Sequence, residues 1–139
     1  MWVYKSRGSL PKFDHAALIS GFDFQLQASD GSFDAATNGF AYISGLCSLK
    51  QDLKRYEGVS VSEDIGLHWS GSWTVAHELA HNLGAFHDGD QDSKDCSWDL
   101  GHIMSYKGWG ELSKFTFSSC SINLMKRFLN SDGAFCLHK

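Results

Sequence analysis

Apolar residues along the chain fall into two kinds of run. Three short stretches, 16–22 (AALISGF), 40–44 (FAYIS) and 58–62 (GVSVS), are rich in strand-forming residues and bounded by Gly, Asn and Asp, which marks them as β-strands. Two longer stretches carry helical signals. In 72–83 (SWTVAHELAHNL), Ser72 stands at a cap position, Ala and Leu favour helix, and Gly84 follows as a stop. In 121–129 (SINLMKRFL), Ile122, Leu124, Met125, Phe128 and Leu129 share one face at helical spacing, which predicts a helix packed on a core.

No repeat, low-complexity tract or proline-rich linker divides the sequence, whose single proline is Pro11. With 139 residues, 42% of them hydrophobic and 14% aromatic, the chain can bury one core, so residues 1–139 read as a single domain. The net charge of -4 and the scattered 12 Lys and Arg provide no basic field for phosphates, so nucleic acid is not an expected partner. No stretch reaches the roughly 20 apolar residues of a membrane span, and the first 21 residues lack the apolar segment of a signal peptide. A membrane partner is therefore not expected, and secretion cannot be read from the N-terminus. Cys47, Cys96, Cys120 and Cys136 include no C-x-x-C pair, which argues against a cysteine zinc site and a thioredoxin-type motif. Two disulfides fit better than buried thiols, with three connectivities open.

The chemistry concentrates in 77–88. His77 and His81 are four apart, so a helix projects both imidazoles from one face, close enough to grip one ion. Gly84 can take the positive φ that ends the helix and turns the chain back, bringing His87 to the same point. Three neutral imidazoles suit one Zn²⁺ ion with a fourth position left for water, and Glu78, beside the first ligand, is placed to accept a proton from that water. The pattern H-E-x-x-H-x-x-G-x-x-H would arise by chance from this composition on the order of 10⁻⁴.

HELAHNLGAFHD (77–88), followed by Ile103, Met104, Ser105 and Tyr106, resembles the zinc motif and Met-turn of the metzincins, and Asp88 after the third histidine resembles the adamalysin (reprolysin) group. The similarity extends through 13–24, 38–47 and 117–121, while HDGD and GHIMSY look like the tick salivary members. The resemblance implies an α+β fold: a small mixed sheet packed on the active-site helix, then an irregular Met-turn region and a C-terminal helix. It also implies that Met104 forms the apolar base under the histidines, that Asp88 buries its carboxylate against the turn, and that 39–42 (GFAY) is an edge strand that pairs with substrate. Half-cystine flanks imply pairs Cys47 to Cys136 and Cys96 to Cys120.

Tyr106 departs from the pattern, because many adamalysins carry proline there; it is expected to be a pocket wall with Lys107, Gly108 and Trp109, a zinc-proximal role being the alternative. The family's calcium site looks incomplete, since Asp14 matches one ligand but Lys139 replaces an asparagine. The resemblance begins near the family's third strand, so the domain is expected to be N-terminally incomplete, with the 16–22 strand as an exposed edge and Met1 internal to a longer, secreted precursor.

Asp88, Asp90, Asp92, Asp95 and Asp99 do not make an EF-hand, because Ser93 occupies the position that needs glycine; a solvated acidic loop is expected. His15, His68, His102 and His138 sit outside ligand spacing. The sequence thus points to a monomeric, zinc-dependent metalloendopeptidase acting on protein or peptide. A catalytically weak or dead binding module is the alternative, against which Glu78 argues. A structural zinc domain would need a fourth ligand, and none stands nearby at ligand spacing.

Overall fold

The computed structural model describes residues 13–50, 55–66, 70–107 and 112–138. Met1, Pro11, His68, Gly108, Trp109 and Lys139 lie outside the described residues. A three-stranded mixed sheet has β7 (Val59–Glu63) at its centre, flanked by β1 (Ala16–Ser20) in parallel and β4 (Gly39–Ala41) in antiparallel register. The central position shows in burial: four of the five residues of β7 are buried, whereas Leu18 and Ile19 of β1 are exposed.

Helix α1 (Ser70–Asn82) packs across β7 and β4. Gly39 pairs with Ser62, and the bare face of Gly39 meets Glu78 of α1, so Ser62 and, two residues earlier, Ser60 also face the helix. Small side chains there let the helix approach the sheet. After the Met104 region comes α2 (Ser119–Leu129), capped by the Ser118 hydroxyl accepting from the Ser121 N–H. The α+β arrangement expected of the sequence is the one observed.

Several boundaries differ from the sequence reading. The 40–44 strand ends at Ala41 because the chain turns at once, with Ser44 at φ 56° and Cys47 at φ 62°. That turn brings the Ser44 and Leu46 N–H groups to the carbonyls of His81 and Asn82, at 2.9 and 3.2 Å, closing off orphan acceptors at the end of α1. Helices α1 and α2 each begin two residues earlier than 72 and 121. Two ribbons of two-residue strands, β2 (Leu26–Gln27) with β3 (Phe33–Asp34) and β5 (Leu49–Lys50) with β6 (Arg55–Tyr56), are too short to show a period in sequence.

Two apolar clusters hold the helices. Leu46, Cys47, Phe128 and Ala134 form one, against Leu83 and Cys136; Ala80, Ala85, Ile103 and Met104 form the other, against Ala76, Phe117 and Met125. Leu124 and Phe128 of α2 are buried as expected, whereas Ile122 is exposed and Ser121 takes an inward position. Disulfides join Cys47 to Cys136 and Cys96 to Cys120, the pairs the resemblance implied.

Candidate metal centre

Helix α1 carries His77 and His81 one turn apart, and its C-terminal geometry determines where His87 falls. Gly84 adopts φ 93°, its N–H bonds the His81 carbonyl at 2.9 Å, and the Ala85 N–H bonds the Ala80 carbonyl at 2.9 Å. This pair of bonds is the Schellman closure, which needs a residue free to take a left-handed conformation. The chain then folds back over α1, and its far end is fixed where the Asp88 N–H donates to the Met104 carbonyl at 2.8 Å. Met104 is fully buried beneath.

His87 Nε2 stands 3.1 Å from His77 Nε2 and 3.2 Å from His81 Nε2. Nδ1 of His77 lies 2.7 Å from the Ile103 carbonyl oxygen, and Nδ1 of His81 lies 2.8 Å from that of Ala85. A carbonyl can only accept, so both Nδ1 atoms carry protons and both Nε2 atoms present lone pairs towards His87. Two lone pairs aimed at a third imidazole suit a cation held among the three rings. Tetrahedral bonds of about 2.0–2.1 Å to zinc place nitrogens roughly 3.3 Å apart, so the donor set and its spacing fit that ion. Among the described residues, the three histidines are the group able to hold a metal.

Burial keeps these imidazoles neutral, as metal binding requires. It depresses His77 to about 3, helped by His81 and His87 and opposed by the bond to Ile103, and it depresses His87 to about 4, helped by His81 and opposed by Asp90. His81 is lowered by burial against the bond to Ala85. Glu78, 5% exposed, is pushed up to about 8 by burial. A positive charge at the three nitrogens would act in the opposite sense and favour the carboxylate.

These residues line a cleft of about 670 Å³ bounded on one side by β4. Gly39 lies against Glu78: a Cβ there would stand 2.6 Å from Glu78 Oε1 and 2.8 Å from the Val61 carbonyl oxygen. The edge of β4 away from β7 is free of strand partners among the described residues. Tyr106 also lines the cleft, its hydroxyl 2.6 Å from His87 Nδ1. Its oxygen therefore meets the ring nitrogen facing away from the other two histidines, and Tyr106 stands in the cleft wall as expected; Lys107 is not among the lining residues, and Gly108 and Trp109 lie outside the described residues.

Other expected groups lie apart from this cluster. His102 pairs with the Thr116 hydroxyl, His138 with the Leu129 carbonyl, and His15 is half-buried just before β1. Asp92 and Asp99 of the acidic loop form exposed ion pairs with Arg127 and Lys107, while Asp88 is buried, as the resemblance implied. The contacts of Gly39 with Glu78 and of Tyr106 with His87 escaped the sequence reading. The available signals were a glycine opening the 39–42 strand and a tyrosine two residues after Met104.

All of residues 1–139 match the model of the Reprolysin (M12B) family zinc metalloproteases. The chain is 36% identical over 146 residues to the Bombyx mori protein "A disintegrin and metalloproteinase with thrombospondin motifs like", covering 99% of this chain and 21% of that protein. It is 39% identical over 126 residues to the human "A disintegrin and metalloproteinase with thrombospondin motifs 18", covering 91% of this chain and 9% of the relative. The chain thus spans only about a fifth and about a tenth of the length of these two relatives.

Proposed function

Because the chain belongs to the reprolysin (M12B) family of zinc metalloproteases, we propose that it acts as a zinc-dependent endopeptidase in which His77, His81 and His87 hold one Zn²⁺ ion and Glu78 is the general base. The observation that carries this reading is the convergence of three Nε2 atoms at 3.1 and 3.2 Å, two of them fixed as lone-pair donors by backbone carbonyls. A zinc ion held there would supply a coordinated water of pKa about 7 and Lewis acidity towards a substrate carbonyl.

The chain's own residues do the rest. Glu78 takes the proton of the attacking water and delivers it to the leaving amine, so one carboxylate serves as base and then as acid. Gly39 leaves that carboxylate room between α1 and β4. The free edge of β4 suits an extended peptide added as a further strand, with backbone hydrogen bonds holding the scissile bond over the histidines. Protein or peptide is accordingly the substrate class.

Two disulfides suit an oxidising compartment, which supports secretion; no helix among the described residues is long and apolar enough to cross a membrane. HDGD (87–90) and GHIMSY (101–106) support placement near tick salivary members. We also propose that residues 1–139 act as a monomeric catalytic unit. The test is cleavage of casein by purified protein with and without 1,10-phenanthroline. Cleavage abolished by the chelator and restored by zinc is expected. Bound zinc with no cleavage of casein or gelatin would favour the binding-module reading.

A further inference from the structure

We infer that Tyr106 is the positioning residue of the third histidine: its hydroxyl accepts the Nδ1 proton of His87 and so aims Nε2 at the metal point. This rests on the proposal that the three histidines are metal ligands. Each imidazole needs a partner on its other nitrogen to settle tautomer and ring orientation. For His77 and His81 that partner is a backbone carbonyl, of Ile103 and of Ala85, which is held by the fold itself. For His87 it is a side chain, with the Tyr106 oxygen 2.6 Å from Nδ1. His87 is therefore the ligand whose aim a single substitution can remove without touching the backbone.

The tyrosine is held for this task from two sides. Its ring lies 4.3 Å from the His87 ring, and Trp98 meets it edge-on at 6.0 Å. The backbone on either side is anchored: the buried Ser105 hydroxyl donates to the Trp98 carbonyl and accepts from the Lys107 N–H at 3.2 Å, while Lys107 Nζ reaches Asp99 at 2.7 Å. Yet the Tyr106 side chain is largely exposed on the cleft wall. Exposure and a precise contact together fit a residue that orients a ligand rather than one that fills a core.

The reading also specifies where the phenol does not bind. A hydroxyl at Nδ1 sits on the opposite edge of the imidazole from Nε2, so Tyr106 supports the metal through His87 and does not coordinate it.

Tyr106→Phe tests this, because it removes one oxygen and keeps the ring between His87 and Trp98. Zinc affinity, measured by competition with a chromophoric chelator, is expected to fall about 10- to 100-fold. The melting temperature in EDTA should stay unchanged. In zinc-loaded protein labelled with ¹⁵N-histidine, the His87 Nδ1–H resonance should be protected in the wild type and lost to exchange in Tyr106→Phe, with those of His77 and His81 retained. Wild-type affinity together with a protected His87 Nδ1–H in the variant would overturn the inference. So would a phenolate-to-copper charge-transfer band in Cu²⁺-loaded wild type that disappears in Tyr106→Phe, since it would make Tyr106 a ligand. His81→Ala separates the two levels: unchanged zinc binding there contradicts the ligand assignment itself, whereas lost binding there with a silent Tyr106→Phe contradicts only the role of Tyr106.

Discussion

The backbone N–H of Asp88 donates to the Met104 carbonyl oxygen at 2.8 Å, so the residue after the third histidine is tied to the methionine buried beneath the site. The side chain adds a second tie: Asp88 Oδ1 accepts from the hydroxyls of Ser118, at 2.6 Å, and Ser121, at 3.2 Å, at the start of α2. One residue thus joins the histidine loop, the methionine turn and the C-terminal helix.

Asp88→Ala removes the acceptor shared by two buried hydroxyls; Ser118 can still donate to Ser121 Oγ at 3.1 Å, so the Ser121 hydroxyl is the one stranded, at a cost of about 1–3 kcal/mol. A loss of that size in unfolding free energy is expected from denaturant titration, with Asp88→Asn, which keeps an acceptor in place, losing less than half as much. Equal effects of the two substitutions would mean that charge, rather than the bonds to Ser118 and Ser121, is what the site requires.

Gly39→Ala is expected to disturb both the carboxylate of Glu78 and the pairing of β4 with β7. The added methyl would meet Glu78 Oε1 and Cγ at 2.6 and 2.8 Å and the Val61 carbonyl at 2.8 Å, so the carboxylate must move. A displacement near 1 Å in a reacting group can cost about 10²-fold in rate. Casein cleavage should fall by about that factor while zinc content stays at the wild-type level. An active Gly39→Ala enzyme would show that Glu78 has room to relocate.

The Cys47 to Cys136 bridge closes a separation of 89 residues and pins the turn after β4 to the end of the chain. Replacing both cysteines by serine removes a cross-link for which chain-entropy models give about 4–5 kcal/mol, though measured losses are often smaller. The turn it anchors carries the Ser44 and Leu46 N–H groups that cap α1. Hydrogen exchange should therefore accelerate first at Ser44 and Leu46. Uniform acceleration across the molecule would instead indicate a purely global effect.

What the sequence made legible was local. The spacing of His77, His81, Gly84 and His87 acts through helix periodicity and one left-handed residue, both properties of a single turn of chain, and the structure brings those side chains together as read. Long-range features were hidden. The strand beginning near Phe40 is cut short because Ser44 and Leu46 are drawn to the end of α1, some 37 residues away in sequence at the Ser44 to His81 bond, which no period in 40–44 records. The contact between Tyr106 and His87 depends on how the Met104 turn folds back. The disulfide pairs followed from resemblance, since four cysteines alone leave three connectivities open.

The central claim is that three histidines hold zinc while Glu78 works on the water, and it separates metal binding from catalysis. The measurement is zinc per chain together with casein cleavage for wild type, His81→Ala and Glu78→Ala. The account predicts one zinc and full cleavage in the wild type, loss of both in His81→Ala, and in Glu78→Ala a retained zinc with cleavage reduced about 10²- to 10⁴-fold, as befits loss of a general base. Zinc retained in His81→Ala, or lost together with activity in Glu78→Ala, would contradict it.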